Sequence, residues 1–325
     1  MAPIPPGAVS SGVGAAAGAD AALRSSRPDP VLEKASRLVY ELMHASRMYG
    51  TIAWCVGVFE THAGMETMIV SNEGLGYVPP GVVVPRSARV VFSDGRLPDS
   101  FARQWFGHVN PAETMLAYAG ELQNGIDRQA QLYAVAVSAY NGGSAAPAAS
   151  SGVPQYASCA LFDSPIDPNS PAAVPDSRHL HRLEATEPVE YQRWNGSAVG
   201  LDQQRAELWQ TTREAFDDVM WRAARVEALP VSAAITEVFE ALQNNVPVSA
   251  EQWLALEMAR FDATMQASQV TIDGSHAGAS AWSRASHNLA RLAEMLLMWR
   301  DGPHFLEISY EARQIAHEAR LWPEG

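Results

Sequence analysis

Two apolar runs in "TIAWCVGVFETHAGMETMIVSNEG" constrain the fold most. They are too short for helices, and they flank a four-residue turn at Thr61 to Gly64, which predicts a β-hairpin. The runs "GVVVP" and "ARVVF" predict further strands, separated from the hairpin by the Gly- and Pro-rich stretch "SNEGLGYVPPG". Upstream, Leu32, Ala35, Leu38, Val39, Leu42 and Met43 share one helical face, with Pro30 at the helix start.

Downstream of the strands, Asp99 or Ser100 caps a short helix through "FARQWFG". Asn110, Pro111 and Glu113 then open a second one as cap, first-turn proline and capping-box acid. In "QLYAVAVSAY", over 131–140, tyrosine and valine favour strand against the alanines. Residues 141–176 are loaded with Gly, Ser, Ala and Pro and read as an interdomain linker with one ordered patch at "YASCALF". From 177 onward the hydrophobic period becomes helical. Ser249 and Gln252 stand at capping-box spacing, and Trp282, Ala285, Leu289, Leu292, Leu296 and Trp299 form a near-heptad stripe. The expected fold class is therefore α+β. A tail over 1–30 precedes an α/β domain over 31–140, the linker over 141–176 and a helical domain over 177–325.

The formal net charge of −13 opposes phosphate neutralisation, so nucleic acid is a poor partner. No segment approaches the ~18 uninterrupted apolar residues of a spanning helix, which argues against membrane insertion. The first twenty residues lack the basic start and apolar centre of a signal peptide. With two cysteines, Cys55 and Cys159, a disulfide framework is excluded, and a reducing cytoplasm is the expected location.

Catalytic signatures fail one by one. Helix, hairpin, strands and further helices share the layout of zinc deaminases, but "THAGMET" puts no Glu two residues after His62, and neither cysteine belongs to a Cys-x-x-Cys pair. His179, His181, Glu184 and Glu187 have metal-ligand chemistry but read as the polar start of a helix. Neither Gly-x-Ser-x-Gly nor a phosphate-binding glycine loop is present. No catalytic residue, metal or cofactor is expected. The loop over 71–86 is expected to turn the chain. Its polar residues Asn72, Glu73, Tyr77 and Arg86, with Arg103 and Trp105 nearby, form the candidate ligand or partner surface, since polar groups on loops at one end of a sheet can converge.

Taken together, "YELMHASRMYGTIAWCVGVFETHAGMETMIVSNEGLGYVPPGVVVPRSARVVFSD", "RQWFGHVNPAETMLAYA" and "HLHRLEATEP" resemble the C-terminal region of mycobacterial EspK-like proteins of type VII (ESX) secretion. The resemblance covers about residues 31–310. It implies a cytoplasmic accessory that binds secretion substrates or the secretion ATPase, with no enzymatic residues to carry over. None of the nine tyrosines is followed four positions on by Asp or Glu, the spacing this secretion route reads, so any export would be alongside a partner. The alternative reading is a small-ligand-binding or enzymatic α/β domain on a deaminase-like scaffold without zinc ligands.

Overall fold

The computed structural model describes residues 29–196, 200–268 and 280–323. Most of the expected tail lies outside these; Asp29 and Pro30 belong to the first helix, α1 (Pro30–Ala45), where the Asp29 carboxylate accepts from the Val31 and Leu32 amides. The apolar stripe of α1 is buried at Ala35, Val39, Leu42 and Met43, as its spacing predicts.

The hairpin forms from β1 (Trp54–Thr61) and β2 (Gly64–Ser71), in register from Trp54 opposite Ser71 to Thr61 opposite Gly64. Then follow β3 (Val84–Pro85), β4 (Ala88–Val90), α2 (Asp99–Trp105), α3 (Pro111–Glu121), β5 (Gln131–Ser138), α4 (Ala146–Ser150), β6 (Gln155–Cys159) and β7 (His179–Leu180). The five-stranded sheet has the order β4-β2-β1-β5-β6. β1 is antiparallel to both neighbours, while β4 is parallel to β2 and β6 to β5, so four strands share one direction. Their carboxyl ends lie on one edge of the sheet, and the chain departs from β2 and β5 toward opposite sides.

Strand alternation divides the core into two layers. Trp54, Val56, Val58, Ile69, Ala134 and Ala136 face α1 and the C-terminal helices, whereas Cys55, Phe59, Met68, Val70, Val135 and Val137 face α2 and α3. Gly57 is demanded on the second face: a Cβ there would lie 2.5 Å from the Met115 sulfur. Trp54 is fixed in the first layer by its indole N–H, which donates to Ser46 Oγ.

Residues 141–176 differ from the linker expected there. Strand β6 extends the sheet beside β5, α4 buries Ala148 against α3, and the Ser170 carbonyl is hydrogen-bonded to His44 on α1. Small residues disguise this segment, because alanine and serine suit close packing yet have the composition of a linker. Gly143 could hold no side chain, since its Cβ would meet the Ser138 carbonyl oxygen at 2.1 Å.

The remainder is helical: α5 (Arg182–Thr186), α6 (Pro188–Asn195), α7 (Leu201–Ala223), α8 (Ala233–Gln243), α9 (Ala250–Ser268), α10 (Ala281–Leu297) and α11 (Phe305–Leu321). Trp209, Phe216, Phe239 and Trp299 stack around its core. Helix α10 is central, buried at every position from Ala285 to Leu296. Its predicted stripe packs in the bundle through Leu289, Leu292, Leu296 and Trp299, while its polar side, with His287, Arg291 and Glu294, faces groups from the α/β half. One contiguous cluster of buried apolar residues runs from α1 through the sheet to α11. The fold is α+β, with the helices stacked on the sheet.

Candidate functional site

A cavity of about 230 Å³ opens at the carboxyl edge of the sheet. Its lining comes from four places: Gly50 and Thr51 before β1, Asn72 to Gly74 after β2, Phe106, Gly107 and Val109 between α2 and α3, and Asn141 after β5. The ends of α9 and α10 close it with Met265, Ser268, Ser283 and His287. The end of an open sheet where connections diverge is where α/β folds commonly hold ligands.

Two left-handed glycines shape the wall. Gly74 (φ 49°) passes so close to α10 that a Cβ would meet His287 Nε2 at 2.5 Å, and Gly107 (φ 59°) donates its N–H to the Gly74 carbonyl at 2.7 Å. Asn72 is anchored by its side-chain oxygen, which accepts from the Ala53 amide, and by its nitrogen, which donates to the Thr51 carbonyl. Glu73 is buried; one oxygen accepts from the Thr51 hydroxyl and the other has no hydrogen-bond partner. Burial raises the Glu73 pKa above the ordinary carboxyl value, against the pull of Arg291 and the Thr51 hydroxyl. Burial also pushes the His287 pKa well below its usual value, reinforced by Arg291, so the imidazole is neutral.

Behind this wall lies a buried charge network. Arg182 on α5 pairs with Glu311 at 2.8 Å and with Glu307, and donates to the Val78 carbonyl at 2.9 Å. Tyr77 donates its hydroxyl to Glu311 at 2.7 Å, and the Tyr310 hydroxyl accepts from the Val78 amide. Arg291 lies 3.5 Å from the Tyr77 ring centroid and makes no hydrogen bond with any of its three nitrogens. Glu294 accepts from the Tyr49 hydroxyl and pairs with Arg260 at 3.4 Å. Although burial opposes it, Arg182 with His181 holds Glu307 down to about 2.

The six sequence-predicted surface residues fall in different places. Asn72 and Glu73 line the cavity, and Tyr77 is fully buried behind it. Arg86 pairs with Glu184 at 3.1 Å on the rim of a separate groove bordered by Lys34, Arg37 and Arg178. Arg103 contacts the Leu321 carbonyl at 3.5 Å, and Trp105 packs against Phe101 and His108. The sequence reading missed His287, Arg291 and Glu294, which share the polar side of a helix whose amphipathic spacing pointed them at solvent. It also missed Arg182 and Glu311. His181 stands at a helix start, capping α5 through Nδ1, whereas His179 lies in strand β7 opposite Pro85. Among the described residues, no three His, Cys, Asp or Glu side chains are grouped to hold a metal, and no helix is long and apolar enough to cross a membrane.

The sequence of this sheet and its first helices matches one family model, that of the EspK C-terminal domain, over residues 43–195. The matched segment runs from the end of α1 through the whole sheet to α6, passing straight through 141–176. Among solved structures, a fragment of the conserved hypothetical protein Rv3899c from Mycobacterium tuberculosis is similar at 14% identity and a TM-score of 0.40, over 92% of this chain and 97% of that one. No curated protein matches.

Proposed function

We propose that the chain is a non-enzymatic accessory of type VII secretion that binds secretion substrates or the secretion ATPase as an adaptor or chaperone-like factor. The observation that carries this reading is a second apolar face on α9. Leu256, Ala259 and Ala263 of this helix are buried, while Leu254 (59% exposed), Met258 (55%), Phe261 (51%) and Met265 (39%) form an exposed stripe at spacings of four, three and four. That spacing is the one an amphipathic partner helix uses, and Met and Phe are favoured at interface centres. Glu251 and Asp262 are exposed on the same helix, which favours a partner with basic residues beside its apolar face.

The test is binding of purified ESX substrates, and of the soluble domains of the secretion ATPase, to the full chain and to the triple variant Leu254→Asp, Met258→Asp, Phe261→Asp. Because the stripe is exposed, the variant should melt within a few degrees of the parent. We expect at least tenfold weaker binding, equivalent to about 1.4 kcal/mol. Equal binding by the variant, or no binding of any of these proteins to the parent, overturns the proposal.

A further inference from the structure

A groove of about 840 Å³ lies on the sheet face that carries α1. Its apolar lining comes from Val31, Ala35 and Leu38 of α1, Val58 and Met65 of the hairpin, and Pro85 of the β3–β7 pair. It continues along α1 into a second hollow of about 260 Å³, which shares Leu38, Glu41, Pro85 and His179 with it and reaches Ala45. From Val31 to Ala45 the trough follows the helix for about 21 Å. Its rim is basic. Lys34, Arg37, Arg86 and Arg178 line it with one carboxylate, Glu41. Arg37 pairs with Glu41, Arg86 with Glu184 and Arg178, at 3.7 Å, with Asp176, while Lys34 has no ion-pair partner among the described residues. Counting all three carboxylates still leaves the rim positive, on a chain whose net charge is −13. The pairs of Arg37 and Arg178 are exposed and hold weakly, so an incoming carboxylate can exchange into them at little cost.

Helix α9 matches this trough in pattern, length and charge. Its exposed stripe from Leu254 through Met258 and Phe261 to Met265 runs for about 16 Å. Glu251 and Asp262 stand three residues before Leu254 and four after Met258, so both lie in line with the stripe, and neither has an ion-pair partner among the described residues. Arg260 of the same helix is turned inward to Glu294. We propose that α9 of one copy docks into the α1 trough of a second copy, with the apolar stripe on Val31, Leu38 and Met65 and the two carboxylates against the basic rim. Both surfaces are exposed in one chain, so α9 does not fill its own trough. Because the two surfaces differ, the contact is heterologous: every docked pair keeps one free α9 and one free trough, and association runs head to tail. A secretion partner on the stripe and a neighbouring copy would compete for the same residues.

The experiment is sedimentation velocity of the full chain alone from about 1 to 100 μM, the range suited to a small interface. The weight-average mass should rise with concentration, and rise less in about 0.5 M NaCl. Two variants each remove one side: Lys34→Glu with Arg178→Glu for the trough, and Leu254→Asp, Met258→Asp, Phe261→Asp for α9. All of these residues are exposed, so both variants should melt within a few degrees of the parent. Each alone should associate at least tenfold more weakly. Their equimolar mixture should form a dimer that grows no further, since the first supplies an intact α9 and the second an intact trough. A mass independent of concentration, undiminished association in either folded variant, or a mixture as monomeric as its parts overturns the proposal. No secretion protein is present in this measurement, so self-association and the adaptor reading stand or fall separately.

Discussion

Glu318 on α11 is buried among Arg284, Arg222 and Asn288, with Asp218 close by, and one of its carboxyl oxygens has no hydrogen-bond partner. Burial pushes its pKa up to about 8, more than the two arginines can offset. A carboxyl that holds its proton in the folded chain and releases it near 4.5 when unfolded makes the native state the better proton binder across that interval. Its contribution is therefore largest at acidic pH and is lost as pH rises from about 4.5 to about 8. Burial raises Glu73 and Glu311 in the same direction, while Glu307, held near 2, contributes its full stability above about 4.5 and loses it only as pH falls from there toward 2. Below about pH 6.5, His287 and His317, both held under their ordinary values by burial, oppose this trend, so the window is pH 6.5 to 8: urea denaturation there should show stability falling with pH, and Glu318→Gln should remove up to about 1.4 kcal/mol per pH unit of that slope. An unchanged slope would mean that Glu318 is already ionised. At this scale the sequence was partly legible. Asn72 and Glu73 were singled out as polar residues in a turn-rich loop, and both line the cavity. Glu318, His287 and Arg291 were not, because nothing local marks a polar helical residue as buried when what covers it comes from other elements, Arg284 and Arg222 for Glu318 and Tyr77 for His287 and Arg291.

The elements whose signals are local were read correctly. Asn110 caps α3, and Ser249 with Gln252 forms the reciprocal capping box, each side chain accepting from the other's amide; helix α2 forms as expected, but its cap position is Pro98, with no side-chain capping bond from Asp99 or Ser100. The hairpin and the strand at 131–138 likewise follow from alternation and β-branched content. Strand β6 falls on the ordered patch expected at "YASCALF", though nothing there marks it as a strand of the main sheet, and helix α4 does not announce itself. β6 spans five residues and exposes Tyr156, while α4 is built of Ala, Pro and Ser and owes its stability to burial of Ala148. Composition cannot separate a flexible Ala/Ser/Gly segment from one whose small side chains let backbones approach closely. Substitution of Ala148 discriminates between them. Ala148→Asp would place a carboxylate in the layer formed by α3 and β5, and we expect a loss of about 3 kcal/mol or more in denaturant unfolding. A change within about 0.5 kcal/mol, as on an exposed linker, would show that α4 does not pack as described.

For the whole molecule, the expected separation into two domains on a flexible tether is replaced by stacking of the helices on the sheet through α10. Apolar continuity from α1 to α11 makes that junction a core, and the buried ion network crosses it. Arg182 is the keystone, since it joins the loop after β2, through Val78 and Tyr77, to Glu307 and Glu311 on α11. Removing one partner from a buried pair leaves uncompensated carboxyls, at a cost of about 3–5 kcal/mol, whereas mere loosening of two independent domains would cost each of them little. Arg182→Met should therefore lower the melting temperature of the entire chain, with far-UV signal from the helices and near-UV signal from Trp54 and the sheet falling in one coincident transition. A biphasic melt, with the sheet half unaffected, would mean that the two halves fold separately and that the network serves only the helical side. A coincident loss would also explain why the cavity is best tested in the intact chain: its walls come from β2, β5, α9 and α10 together, so neither half alone contains the site.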